Sequence, residues 1–528
     1  MQSNLLGTLC LGILAGLLAT AEHGILLSLA RNEPSGGGMP IEAPDLRSAD
    51  AWLNTEKPIT LADLRGQVVL LDFWTYCCIN CMHVFPDLKY LENKFRDEPF
   101  VVVGVHSGKF DQEKDPENIR NAVLRHNIEH PVAVDSDYEI WKAYGVQAWP
   151  TLIVIDPEGR IVGQISGEGH RELLEKIVDQ HLDVHRTKRT LGKAMTFRRE
   201  RESFRSEMLE FPGKVLADSS RGRLFISDTN HDRVLMTNLE GKILKKIGTG
   251  RVGLNDGGFA TARFHQPQGL ALDAEGKTLY VADTENHALR AVDLVGETVS
   301  TLAGTGKQGN DFNANGPGRS TELSSPWDLV RVGERLFIAM AGSHQIWTYD
   351  LLNRRVAVFA GTGQESRVDG ANRSAAFGQP SGLATDGHRL FVADSEISTI
   401  RMVEIGVEGR TGTLAGSGGL FEFGRKDGIG TEARFQHPLG VALAGDDLFV
   451  ADTFNHVIRR VELGGGRVTT FLGSGRDDPE SDSAISFNEP GGLSVGGDHL
   501  YIADTNQHRI VVADIRTGTV KILKISGP

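Results

Sequence analysis

Three of the four cysteines in this 528-residue chain, Cys77, Cys78 and Cys81, fall within five consecutive positions. So few cysteines cannot form a disulfide framework, which leaves redox chemistry or metal binding for the cluster. Cys78-x-x-Cys81 has the spacing of an exchangeable dithiol. At the start of a helix, the first thiol would have its thiolate favoured by unpaired N–H groups and could attack a disulfide. Cys77-x-x-x-Cys81 is also a possible soft pair for copper or zinc with His83 or His106, although no fourth ligand is evident. A third alternative is that the thiols are buried and inert.

The surrounding elements alternate. Residues 68–74 form an apolar strand running into the cysteines, followed by an expected helix over 78–95 and a strand over 100–106. A helix over 116–126, a strand over 132–135 and a helix over 137–144 come next. A hairpin of 151–155 and 161–166 precedes a last helix from Arg171, so the order implies an α/β sandwich. Pro86 lies five residues after Cys81, and Trp149-Pro150-Thr151 opens the later strand.

These features resemble the thioredoxin-like fold of the TlpA and redoxin type. The resemblance implies Cys78 as nucleophile, Cys81 as resolving thiol, Pro150 as a cis-proline facing Cys78, and Asp72 as a buried proton acceptor. Burial would raise the carboxyl's pKa and suit it to taking the Cys81 proton. Cys77 stands where the family usually has Trp, and Ile79-Asn80 replaces Gly-Pro. With Trp74 and Trp149, Cys77 borders the dithiol as an accessory residue.

After Glu207 the pattern changes to short strands and glycine turns. One motif recurs six times, starting at Leu224, Leu279, Leu336, Leu390, Leu448 and Leu500, with adjacent copies 52 to 58 residues apart. Each copy follows a Pro-containing strand start and precedes two further strands. Four strands per repeat without a helix describe a propeller blade, and six blades close a ring. Asn286 to Arg290 and Asn455 to Arg459 resemble the NHL repeat. The combination resembles the NHL repeat-containing protein 2 family from about Trp52 to Ile525. Its most specific segments are Trp74 to Cys81, Gly104 to Ser107, Gly167 to His170, Ser325 to Asp328 and Ala339 to Trp347.

Within the repeats, His231, His287, His344, His456 and His508 are expected to fix turns rather than bind metal. Asp228, Asp283, Asp394, Asp452 and Asp504 are expected to cap the next turn's N–H groups. The third blade departs from this rule: Met340 replaces the Asp, and Trp327-Asp328 replaces a Gly followed by Leu or Val in four other blades. Trp is an effective binding anchor, so Trp327, with His344 and Trp347, is expected to mark a partner-binding side of the ring.

A composition of 40% hydrophobic and 24% charged residues is globular, and a net charge of −13 disfavours nucleic acid as partner. Residues 186–205 hold eight Lys/Arg and read as a solvated linker. The uncharged run over residues 5–21 closes on Ala19-Thr20-Ala21, a pattern that signal peptidase accepts, although Met1 to Asn4 supply no Lys or Arg. Export or a membrane tether is expected, with a cytoplasmic location as the alternative.

The expected organisation is an N-terminal segment over 1–40, a thioredoxin-like domain over 41–185, a basic linker over 186–207 and a six-bladed propeller over 208–528. The expected function is thiol-disulfide exchange by Cys78 and Cys81, with a propeller that recruits a protein partner or substrate and no cofactor. A non-catalytic scaffold and a copper or zinc protein are the alternatives.

Overall fold

The computed structural model describes residues 41–474 and 485–527. The apolar run over 5–21 lies outside them. No helix among the described residues is long and apolar enough to cross a membrane.

Strand β2 (Val68–Trp74) is buried along its whole length, as expected of a strand with six apolar residues in seven, and it takes Asp72 into the core with it. It pairs in parallel with β3 (Phe100–His106), which pairs in parallel with β4 (Val132–Val134). On its other side it pairs antiparallel with β5 (Thr151–Ile155), followed by β6 (Ile161–Ser166). With β1 (Ala51–Leu53) beside β4, the order is β1-β4-β3-β2-β5-β6. Helices α1 (Ile79–Lys94) and α4 (Arg171–Lys188) bury Val84, Leu88, Leu174 and Val178 in one core with Val68, Leu70 and Val102. Helices α2 (Pro116–Arg125) and α3 (Glu139–Ala143) complete the thioredoxin-like domain.

The basic stretch is not a free linker. Gln67 Nε2 donates to the Lys193 carbonyl (2.6 Å), Glu200 N–H donates to Asn54 Oδ1 (2.8 Å), and Met195 and Phe197 pack on the domain core. The two apolar side chains hold the strap down. Two of its arginines form ion pairs, Arg199 with Glu129 and Arg201 with Glu210.

Six antiparallel sheets form the propeller. The ring closes when Ser526 joins the outer strand of the first blade, its N–H donating to the Gly241 carbonyl (3.0 Å) and its carbonyl accepting from Ile243 N–H (2.8 Å).

Each blade is stapled to the next by one side chain. At the turn between second and third strands, Asp232, His287, His344, Ser398, His456 and His508 have φ between 47° and 55°. Each accepts the backbone N–H of the residue just before the next blade's proline: Gln266, Ser325, Gln379, His437, Glu489 and Phe211, respectively. In the first blade Asp232 fills this place, while His231 bonds Asp228 instead.

The repeated aspartates bond backward in the chain. Asp283, Asp394 and Asp452 accept the N–H of His265, Gly378 and Gln436, which lead into the same blade (each 2.8 Å). Their second oxygens hold Arg290, Arg401 and Arg459 at 2.7, 2.9 and 2.9 Å, with both partners fully buried. The opposite side of each guanidinium meets Asp256, Asp369 or Asp427.

The third blade replaces both members of this ion pair. Met340 Sδ accepts the Ser324 N–H (3.4 Å), and Trp347 occupies the arginine's place seven residues later, its Nε1–H donating to Gln345 Oε1 (2.9 Å). Losing charge at both positions avoids a lone buried ion.

Candidate functional site

Strand β2 delivers the chain to the cysteines at its end. Glu113 shapes the connecting loop: its carboxylate accepts from Thr75 Oγ1 (2.7 Å) and from the N–H groups of Cys77 (2.8 Å), Lys109 (3.0 Å) and Phe110 (2.9 Å). Burial raises its pKa to about 7. Cys78 then caps α1, its Sγ accepting the Cys81 N–H at 3.4 Å. It is half-buried, whereas Cys77 and Cys81 are fully buried.

Burial pushes the Cys81 thiol well up, with the neighbouring Cys78 and then Asp72 adding to the effect. Asp72, on β2, is completely buried, and neither carboxylate oxygen has a hydrogen-bond partner. Desolvation raises its pKa to about 7, opposed by His130. Cys77 is also pushed well up by burial, and Glu113 and Glu396 reinforce the shift.

The remaining predicted residues frame this pair. The Trp149–Pro150 bond is cis, Pro150 is buried, and Trp149 packs on Trp141 with ring centroids 4.6 Å apart. Trp74 is buried edge-on against Phe85 and His106.

The propeller covers the cysteine loop. The two ends of the Gln379 carboxamide hold the peptide units flanking Cys78: Nε2 donates to the Cys77 carbonyl and Oε1 accepts the Ile79 N–H, both at 3.0 Å. Lys109 bonds Glu396 at 2.6 Å, and Cys77 Sγ lies 3.9 Å from the same carboxylate. His83 Nε2 meets Ser325 Oγ at 2.8 Å, and Gln266 Nε2 donates to the Arg125 carbonyl at 2.9 Å. Glu489 joins Arg125 (3.0 Å) and Tyr76 Oη (3.2 Å). At the ring's centre, buried Lys214 donates to Asp328 and to the carbonyls of Ser381 and Leu439. Above it Tyr76, Met82, Phe211 and Trp327 line a cavity of about 60 Å³, space for a few waters.

The contact residues before the blade prolines thus serve two purposes. Their backbones are stapled to the preceding blade, and the side chains of Gln266, Ser325, Gln379, His437 and Glu489 meet the thioredoxin-like domain, whereas Phe211 packs on Phe204 and His508. Reading the repeats does not single them out, nor does any spacing rule identify Glu113, Lys109 or Glu396. The available signal is variability: Phe211, Gln266, Ser325, Gln379, His437 and Glu489 differ in type while the following Pro repeats.

Trp327, His344 and Trp347 do not form one outward-facing patch. Trp347 is core, buried with Tyr280 and Leu329 between neighbouring blades. His344 is a staple, and half-buried Trp327 packs beside Ile79 and Met82 of α1. The large aromatic area of Trp327 is therefore partly used inside the molecule.

The soft-metal set is not assembled either. His83 is engaged by Glu168 and Ser325, and His106 accepts the Tyr76 N–H. Among the described residues, the one group with ligand atoms close enough for an ion is Asp156, Glu158 and His185, where Arg160 already bonds both carboxylates.

A thioredoxin-like family profile matches residues 66–161, and an NHL-repeat profile matches 264–291 and 487–513. The chain is 45% identical over 494 residues to Protein SUPPRESSOR OF QUENCHING 1, chloroplastic, of Arabidopsis thaliana, covering 90% of this chain and 47% of that protein. It is 42% identical over 520 residues to NHL repeat-containing protein 2 of Bos taurus, covering 91% and 71%. The thiol-disulfide oxidoreductase ResA of Bacillus thuringiensis is 33% identical over 120 residues, covering 23% of this chain and 66% of that one. The chain therefore spans about half of the plant relative and somewhat over two thirds of the bovine one, and on this evidence it belongs to the NHL repeat-containing protein 2 family.

Proposed function

We propose that the chain catalyses thiol-disulfide exchange with a protein substrate. The observation carrying this reading is the stacking of three groups: Cys78 at the helix start, Cys81 one turn in, and a buried, unpartnered Asp72 close enough to raise the Cys81 thiol. The Cys78 thiolate attacks one sulfur of a substrate disulfide, forming a mixed disulfide and releasing the other sulfur as a thiolate. Cys81 transfers its proton to Asp72 and attacks Cys78 Sγ. The products are the Cys78–Cys81 disulfide and a substrate dithiol, and an external dithiol must reduce the protein again. The relation of the thioredoxin-like domain to thiol-disulfide oxidoreductases supports the same assignment.

In this reading the propeller contributes to recognition by walling the dithiol as well as by binding protein. The run over 5–21 supports a location outside the cytoplasm, where such a couple meets disulfide substrates. Full burial of Cys77, against Glu396 of the propeller, and of Cys81 favours the second reading, a scaffold whose thiols do not react.

Asp72→Asn distinguishes the two. With 5,5′-dithiobis(2-nitrobenzoate) as probe, Cys78 attack releases one thionitrobenzoate and Cys81 attack releases the second. The variant should slow the second release about 100-fold, the range expected for losing a general base, and leave the first within a few-fold. An unchanged second release contradicts the role of Asp72, and no first release supports the scaffold.

The substitution also has a stability signature. Asp72 holds its proton more tightly when folded, so its contribution is present below about pH 4 and lost as pH rises through about 7. Asp72→Asn should therefore gain on the order of 2–4 kcal/mol over the parent at pH 8 and nothing at pH 4 in paired unfolding curves.

A further inference from the structure

We infer that Gln379 is a positioning residue for the dithiol, contributed by the propeller, and that it restrains the reactivity of Cys78. The inference rests on the exchange reading and names a regulator of that same site.

The first N–H groups of a helix have no partner within it and are available to a thiolate at the N-cap. In α1 the Cys81 N–H points to Cys78 Sγ, but the Ile79 N–H does not remain available. Gln379 Oε1 accepts it, so one donor beside the nucleophile is already occupied by a neutral acceptor. The Nε2 end simultaneously bonds the Cys77 carbonyl, fixing the peptide units on both sides of Cys78.

The clamp is itself rigid. Gln379 is buried, sits at φ 61°, gives its N–H to His344 Nδ1 (3.0 Å) and accepts at its carbonyl from Ser381 Oγ (2.9 Å). His344 belongs to the third blade, so the grip on the cysteine loop passes through a staple between blades. The orientation of the amide is fixed by its partners, since a carbonyl can only accept and a backbone N–H can only donate.

Two substitutions at this one position pull in opposite directions. Gln379→Ala removes the acceptor and frees the Ile79 N–H for the thiolate. Gln379→Glu keeps an acceptor there, adds a negative charge beside Cys78 and loses the donor to the Cys77 carbonyl. Both leave the backbone staple to His344 in place.

The test is the rate at which iodoacetamide modifies Cys78 in the folded full-length chain, followed by peptide mass spectrometry from pH 5 to 9. Gln379→Ala should raise the rate at pH 7 about three- to tenfold and move the profile to lower pH. Gln379→Glu should lower the rate by a similar factor and move the profile to higher pH. A purely structural role would make both variants change alike, and that outcome overturns the inference, as would two profiles superimposed on the parent's. If Cys78 in the parent reacts no faster than a cysteine in the denatured chain, the exchange reading itself fails.

Discussion

Cys81→Ser should accumulate covalent mixed disulfides through Cys78, while Cys78→Ser should accumulate none. Without Cys81 the second attack has no nucleophile, so the intermediate persists instead of resolving. The contrast should approach all-or-none on a non-reducing gel of protein purified from cells treated rapidly with an alkylating agent. Cys77 is not expected to substitute for Cys81, because it precedes the helix and its Sγ faces Glu396. Equal trapping by the two single variants would dissolve the assigned roles. Trapping lost when Cys77→Ser is added to Cys81→Ser, with Cys78 intact, would instead make Cys77 the attacking thiol.

The second large effect concerns the propeller's buried ion pairs. Asp394→Met leaves the Arg401 guanidinium in the core without its buried carboxylate, retaining half-exposed Asp369 and the carbonyls of Ala376 and Val368. Breaking such a pair from one side typically costs about 3–5 kcal/mol. The third blade already contains the neutral solution, Met340 with Trp347. Copying it as Asp394→Met with Arg401→Trp should therefore recover at least half of the single variant's loss in urea unfolding. A double variant as unstable as the sum of both single changes would show that Met340 and Trp347 are not a matched replacement.

These two cases also mark what the sequence makes legible. The strands of the thioredoxin-like domain follow from apolar runs such as 68–74, and the propeller follows from a motif repeated at near-constant spacing, because both signals are local. Cys78 at a helix start after a buried strand is legible for the same reason. Met340 and Trp347 are harder: seven residues apart, they meet only after two strands pair, so each looks like an isolated departure until the fold shows them sharing one arginine–aspartate site. Trp347, expected beside Trp327 on a partner-binding side, instead lies in the core between blades. The strap over 189–207 was obscured by its eight-cation neighbourhood, whereas Met195 and Phe197 decide where it lies. Gln379 is marked only by its variability from blade to blade. Nothing in one blade's repeat reveals that the variable residue before its proline faces a different domain.

The central claim is that Cys78 and Cys81 form a two-electron couple in the intact, docked chain. Its most direct measurement is equilibration of the full-length protein in glutathione or dithiothreitol buffers of graded potential, acid quenching, alkylation and counting of labelled cysteines by peptide mass. The account predicts that Cys78 and Cys81 lose label together in one transition with a slope near 30 mV per decade, while Cys77 remains labelled throughout. Full labelling of all three cysteines at every potential, or a disulfide that forms only in denaturant, would contradict it.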